Sequence, residues 1–463
     1  MTQELINTPR LLKEAVKELC EHPRLAHDTE TKGPDKFQDI SGLYPFHGAR
    51  SFSHIFATKD DEFYFDFNDE GMPSNYKKLL LPIFSKPETV IFYVNAVFDG
   101  CISHFDNLTF KQRIVDCPSI ARVEWNKHGK NPWDKESFLS MAYLAEYYQV
   151  QAKSDKVKEY IKENELYSEE RCRFTGKVIP LYHLVPLDLM FEYGCSDART
   201  TFDLGTKIIR CINYKDEQYK EQRGDIPPMI EIAKNEIALT SVVLGMKIIG
   251  IRHWDEYTQK AIKHETKISE KLHKEIDHLT GGINLNSGKQ IATYLISKGV
   301  EVPFKKPTDH AMKMMDNWLL KAEIAKEKGK AKQFNQAIEK VEGYRRGNPI
   351  TDKKTLAKLM EEYPNLDFLA KITTAKEADK KLSTYYSNFM KLQDKNNILH
   401  CDLNQEKAKT GRFSSSNPNL QNLEKVYTSL DSDEFAVRKS FIAREGYLLF
   451  FFDYSQQEMV FYA

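Results

Sequence analysis

The sequence predicts an α/β domain, then a mainly helical domain, then the beginning of an α+β domain. Three observations carry this reading. Between about residues 20 and 120, short β-rich runs such as Phe63–Phe67 and Thr89–Val94 alternate with helix-like stretches. After the turn-forming break Gly224–Pro228, residues 229 to about 395 are rich in lysine and glutamate and nearly free of strand signals. Strand character returns in the apolar run Tyr447–Phe452.

Taken in order, the elements divide a chain of 463 residues, long enough for two to four domains at about 150 residues each. The first twenty residues read as an amphipathic helix carrying acidic side chains, which is not the pattern of an export signal. Residues 130–192 are polar and irregular, with Pro132, Pro180 and Pro186, and read as an insertion or lid built on helices. No apolar stretch approaches the roughly 18 residues of a membrane span, and 29% of the residues are charged. Seven scattered cysteines without a C-x-x-C pair give neither a disulfide framework nor a zinc pattern, so a reducing compartment is expected. Net charge is zero, but it is unevenly spread: residues 1–100 hold 11 basic and 16 acidic side chains, residues 301–400 hold 20 and 14. An acidic front and a basic later part suit a carboxylate-lined metal site followed by a phosphate-gripping surface, and on charge alone suit ordinary solvated helix faces equally well.

Asp28-Thr29-Glu30 follows the apolar Leu25-Ala26, and the period of two in an extended strand puts both carboxylates on one face. Phosphodiester hydrolysis with two Mg²⁺ or Mn²⁺ ions about 4 Å apart needs three or four carboxylates from different segments. Two further segments offer them. The run Thr89–Val94 leads into Asn95–Asp99, read as an apolar strand ending in a carboxylate, and Tyr193–Asp197 opens a helical run in which Tyr193 and Asp197 face the same way. A phenol there can orient an attacking water. Read singly, Tyr193 is a half-buried core tyrosine and Asp197 a solvent-facing helix acid.

In order and spacing these three pieces resemble the exonuclease motifs of the proofreading domain of family A DNA polymerases, a ribonuclease H-like fold. The resemblance implies Asp28, Glu30, Asp99 and Asp197 as metal ligands and Tyr193 as the water-orienting residue; Val94 departs from the histidine that many members carry. Further on, Ile283–Gln290 resembles an N-L-N-S-x-K-Q element of the thumb, implying DNA contacts by Asn286, Ser287 and Lys289, although a Ser N-cap beside a solvated lysine reads the same way. Lys381–Tyr385 is a weaker match to the thumb-to-palm segment and implies a DNA contact for Lys381. The most specific match is Thr410–Ser415 followed by Pro418–Asn422, which reproduces T-G-R-L-S-S and P-N-L-Q-N with one change, Phe413. It implies DNA binding by Arg412, Ser414, Gln421 and Asn422, with Arg412 probing the minor groove at the primer terminus.

Asp453-Tyr454-Ser455-Gln456-Gln457-Glu458 resembles the first palm motif, D-Y-S-Q-I-E. The resemblance implies Asp453 and the Tyr454 carbonyl as ligands of the catalytic Mg²⁺ ions, and Gln456 and Glu458 as nucleotide-binding residues; Ser455 and Glu458 also form a capping box. The implied organisation is a 3′–5′ exonuclease domain over 1–212 containing the insertion 130–192, a helical thumb over 213–395 and an incomplete palm over 396–463. The expected activity is that of the front part of a phage-like replicative polymerase in the cytoplasm of a virus-infected host cell. Its expected partners are primer-template DNA, dNTPs and a second polypeptide that supplies the fingers and remaining palm, as in a split polymerase; no membrane is involved. The alternative is an inactive primer-template-binding subunit.

Overall fold

A computed structural model of the chain describes residues 2–68, 72–125, 137–151, 156–408, 410–423, 435–450 and 452. The chain forms two compact units: Met1–Trp254 with Lys391–Ser429 and Phe441–Ala463, and Asp255–Met390 with Leu430–Ser440. The fold is mixed α/β, with one large sheet and a mostly helical remainder. Among the described residues no helix is long and apolar enough to cross a membrane.

The first unit is built on a six-stranded sheet of β1 (Thr2–Ile6), β2 (Arg24–Lys32), β3 (Arg50–Ala57), β4 (Asp61–Asp66), β5 (Val90–Tyr93) and β6 (Arg113–Asp116), in the order β1-β4-β3-β2-β5-β6. Strand β3 runs antiparallel to β2 and β4, whereas β2, β5 and β6 are parallel to one another. Side-chain alternation divides the apolar residues between two cores. Phe56, Phe63, Phe65 and Ile91 join Leu12 and Leu19 of α1 (Pro9–Leu19) on one side. Ile55, Tyr64 and Phe92 belong to the core on the opposite side.

Beyond α1 the helices of the unit are, in chain order, α2 (Ala96–Phe105), α3 (Cys117–Trp125), α4 (Met141–Tyr148), α5 (Lys156–Glu163), α6 (Leu187–Gln218) and α7 (Met229–Ile249), with a hairpin of β7 (Tyr167–Arg171) and β8 (Val178–Pro180) before α6. Ala96 and Cys101 of α2 share the core of α1, whereas α3, α4, α5 and α6 pack in the other. The long α6 crosses the sheet and buries Leu204, Ile208 and Ile212 in the second core. Four short strands follow in the same unit: β9 (Ile251–Arg252) pairs with β10 (Ile398–Leu399), while β11 (Asp402–Asn404) pairs with a strand over Ser414–Ser416, β12.

The second unit is helical. It contains α8 (Asp255–Thr280), α9 (Gly288–Ser297), α10 (Asp309–Glu327), α11 (Ala331–Arg346), α12 (Lys353–Glu362) and α13 (Asp367–Lys380), followed by a π-helical turn over Lys381–Tyr386. Ile276, Ile291, Leu295, Leu356, Phe368 and Ile372 form its core.

Three expectations are corrected. The first residues are not helical: Thr2–Ile6 pair in parallel with β4, and the helix starts only after Thr8, whose hydroxyl accepts from the Leu11 amide. Asn95–Asp99 is not a strand. Asn95 takes a left-handed φ of 76°, the amides of Asn95 and Ala96 donate to Asp116, and the chain turns into α2. The run Tyr447–Phe450 is not a strand either. No strand pairs with it among the described residues, and its side chains are exposed, Leu448 by 78%.

Candidate active site

The centre of the site is β2. Asp28 and Glu30 are half-buried on one face while Thr29 between them is buried on the other, as the strand period requires. Strand β3 carries one extra residue, Phe52, where Glu30 pairs with Ser53 and Thr31 with Ser51, so the ladder is bulged at the carboxylates. On α6, Tyr193 and Asp197 lie one turn apart and are both buried. Together Asp28, Glu30 and Asp197 each offer a carboxylate oxygen, all within 4.8 Å of one another. Residues 167 positions apart in sequence thus converge on one point.

Asp99 sits in the first turn of α2, 2% exposed, and its Oδ1 accepts a 2.6 Å hydrogen bond from the Thr29 hydroxyl. Burial, and then the Asp28 carboxylate, push its pKa well above the usual carboxylate range. Burial raises the Tyr193 phenol too, and the nearby charges of Glu30, Asp197 and Asp28 add to it. The tyrosine therefore keeps its proton. Cys195, between Tyr193 and Asp197, is fully buried, and its thiol is pushed up to about 12 by burial.

The clustered oxygen donors come from two segments, β2 and α6, and suit a hard divalent cation, whose binding like charges this close favour; Asp99 is not among them. Several positioning residues were not legible in the sequence. Thr29 holds Asp99, and Asp116 holds the start of α2. Arg199, two residues past Asp197, anchors α6 to the β3–β4 edge by donating to Glu62 at 2.5 Å and to the Thr58 carbonyl at 2.9 Å. The Arg199 and Glu62 pair spans 137 positions, so no local pattern announces it. A buried-type threonine inside D-T-E was the one available signal for Thr29.

The remaining candidates fall elsewhere. In the second unit, Ser287 caps α9 by accepting from the Gln290 amide, Asn286 and Lys289 are exposed, and Lys381 pairs with Glu265 at 3.0 Å. In the first unit, Arg412 is exposed between β11 and β12, Ser414 pairs with Asn404, Gln421 donates to the Phe413 carbonyl at 3.0 Å, and Asn422 is exposed. Asp453, Tyr454, Gln456 and Glu458 lie outside the described residues.

Residues 328–463 match the family model for DNA polymerase family A. DNA polymerase I of Borreliella burgdorferi is 27% identical over 329 residues, covering 70% of this chain and 28% of that protein. The thermostable DNA polymerase I of Thermus aquaticus is 40% identical over 114 residues, 24% of this chain and 13% of that protein. The chain thus spans roughly a quarter or less of the length of these curated relatives. In fold it is similar to the POL domain of Pol1 from M. smegmatis, solved in complex with DNA primer-template and dNTP, with a TM-score of 0.63 and 15% identity over 96% of this chain and 59% of that one. By these matches residues 328–463 are similar in sequence to family A DNA polymerases, and the chain shares its fold with a polymerase domain.

Proposed function

We propose that the chain serves DNA synthesis and that its first unit removes nucleotides from DNA 3′ ends by metal-dependent hydrolysis. The observation that carries this reading is the convergence of Asp28, Glu30 and Asp197 within 4.8 Å. These three residues, with Asp99 behind them, would hold Mg²⁺ or Mn²⁺, which when bound activates water and stabilises the leaving oxygen. Tyr193, which stays protonated beside the carboxylates, is assigned the holding of the attacking water. Asp99 keeps its orientation through Thr29.

The polymerase side of the proposal rests on the family match and on the T-G-R-F-S-S segment. Arg412, Ser414, Gln421 and Asn422 are assigned to primer-template contact, as are Asn286, Ser287, Lys289 and Lys381; Asp453, Tyr454, Gln456 and Glu458 are assigned to the metal ions and the incoming dNTP. Shortening of a 5′-labelled single strand in Mn²⁺ tests the nuclease. Asp28→Ala with Glu30→Ala should slow it on the order of a thousandfold or more. Equal rates for wild type and double variant refute the assignment.

A further inference from the structure

The insertion that precedes α6 builds one wall of a groove next to the end of the strand that carries Asp28 and Glu30. The groove has a volume of about 420 Å³. It is lined on one side by Thr31, Lys32 and Gln38 and on the other by Tyr167, Ser168 and His183. Thr31 and Lys32 follow Glu30 directly, so the groove begins about 3 to 7 Å along the strand from the carboxylate site. Its floor is a loop that closes back on the strand. A Cβ on Gly33 would meet the Ile40 carbonyl at 1.9 Å, and one on Gly42 would meet the Thr31 carbonyl at 2.6 Å.

The outer wall is tied down from its tip. Arg173 reaches from the turn between β7 and β8 to Asp39 with a forked pair of hydrogen bonds at 2.5 and 2.7 Å, and its amide donates to the Asp39 carbonyl. Next to it, Phe174 stacks on Tyr44 with ring centroids 4.0 Å apart. Facing the groove are an exposed aromatic ring (Tyr167, 39% exposed), hydroxyl and amide groups, Lys32 paired with Asp35 at 3.4 Å, and the carboxylate of Glu169. A ring to stack on and small polar groups beside it are the chemistry that accepts the base of a single-stranded nucleotide without reading it.

We propose that this groove receives the nucleotide adjoining the scissile phosphate of a single-stranded substrate, with Tyr167 stacking on its base and the Arg173–Asp39 pair positioning the wall. The proposal rests on the nuclease reading above. Steady-state kinetics on a single-stranded oligonucleotide in saturating Mn²⁺ tests it. Tyr167→Ala and Arg173→Ala should each raise KM about tenfold while kcat stays within about twofold. Tyr167→Phe, which keeps the ring, and the exchange of Arg173→Asp with Asp39→Arg, which keeps the pair, should return KM toward the wild-type value. An unchanged KM in both alanine variants of a chain that does degrade DNA overturns the groove and leaves the nuclease standing. A fall in kcat alone, with KM kept, marks the hairpin as merely structural and overturns it too. A wild-type chain that degrades no DNA refutes the nuclease reading and this inference with it.

Discussion

Two acidic centres lie in the same unit and are built on opposite terms. At the first, Asp106 is surrounded by partners that complement it: Lys77 at 3.2 Å, His54 at 3.1 Å and the Ser51 hydroxyl at 2.6 Å, all buried. With both imidazoles neutral, one proton arrangement satisfies the whole chain. Tyr93 donates to His27 Nδ1, His27 Nε2 to His54 Nδ1, and His54 Nε2 to Asp106. At the second, Asp28, Glu30 and Asp197 bring carboxylate against carboxylate. The first arrangement is closed electrostatically and serves the fold. The second gathers like charges, and under the function proposed above a metal ion would be the charge that complements them.

The comparison can be broken in three places. The largest effect is expected at the closed centre. Asp106→Ala leaves Lys77 buried without its counter-charge and should cost about 3–5 kcal/mol in chemical denaturation. If the loss stays under about 1 kcal/mol, the network is not holding the sheet. Next, Mn²⁺ at a hundredfold excess over its Kd should raise the stability of the wild type by about 2.7 kcal/mol and that of Asp28→Ala with Glu30→Ala far less. Equal shifts in both proteins would place the metal elsewhere.

The smallest effect is the acid response of the closed centre. Burial holds His54, and His27 beside it, below the ordinary histidine value of 6.5, with Asp106 acting in the opposite sense on His54. The folded chain therefore keeps both rings neutral where the unfolded chain takes up protons, so stability should fall as pH drops below about 6.5. Asp106 adds a second loss further down. Burial pushes its pKa up, but His54, Lys77 and Ser51 outweigh that and keep it below the usual value, so its contribution vanishes as pH falls below the carboxylate range. Denaturation midpoints at pH 7.5, 6 and 5 would read the first step; a flat profile in that window contradicts the neutral-histidine arrangement.

What was legible in the sequence followed from local periodicity. The strand period places Asp28 and Glu30 together, and the helix period does the same for Tyr193 and Asp197. The misreadings share one cause: each depended on a distant neighbour. The start of α2 at Asn95 depends on Asp116, 21 positions away, and the first strand depends on pairing with β4 some 59 positions on. The apolar run Tyr447–Phe450 has the composition of a strand, but a strand exists only where another offers its backbone. The tie between Arg173 and Asp39 spans 134 positions and carries no motif.

Cys195 turns this geometry into a clock. Its thiol is sealed between α6 and the sheet, flanked in sequence by Tyr193 and Asp197, and with a pKa near 12 it is almost entirely protonated at neutral pH. A thiol in that state reacts with a disulfide reagent only when the helix lifts from the sheet, so in a chain whose other cysteines are replaced, the labelling rate counts those excursions. The same group that reports the opening sits inside the turn that carries Tyr193 and Asp197, and slower labelling on adding Mn²⁺ would show that an ion fastens α6 to β2.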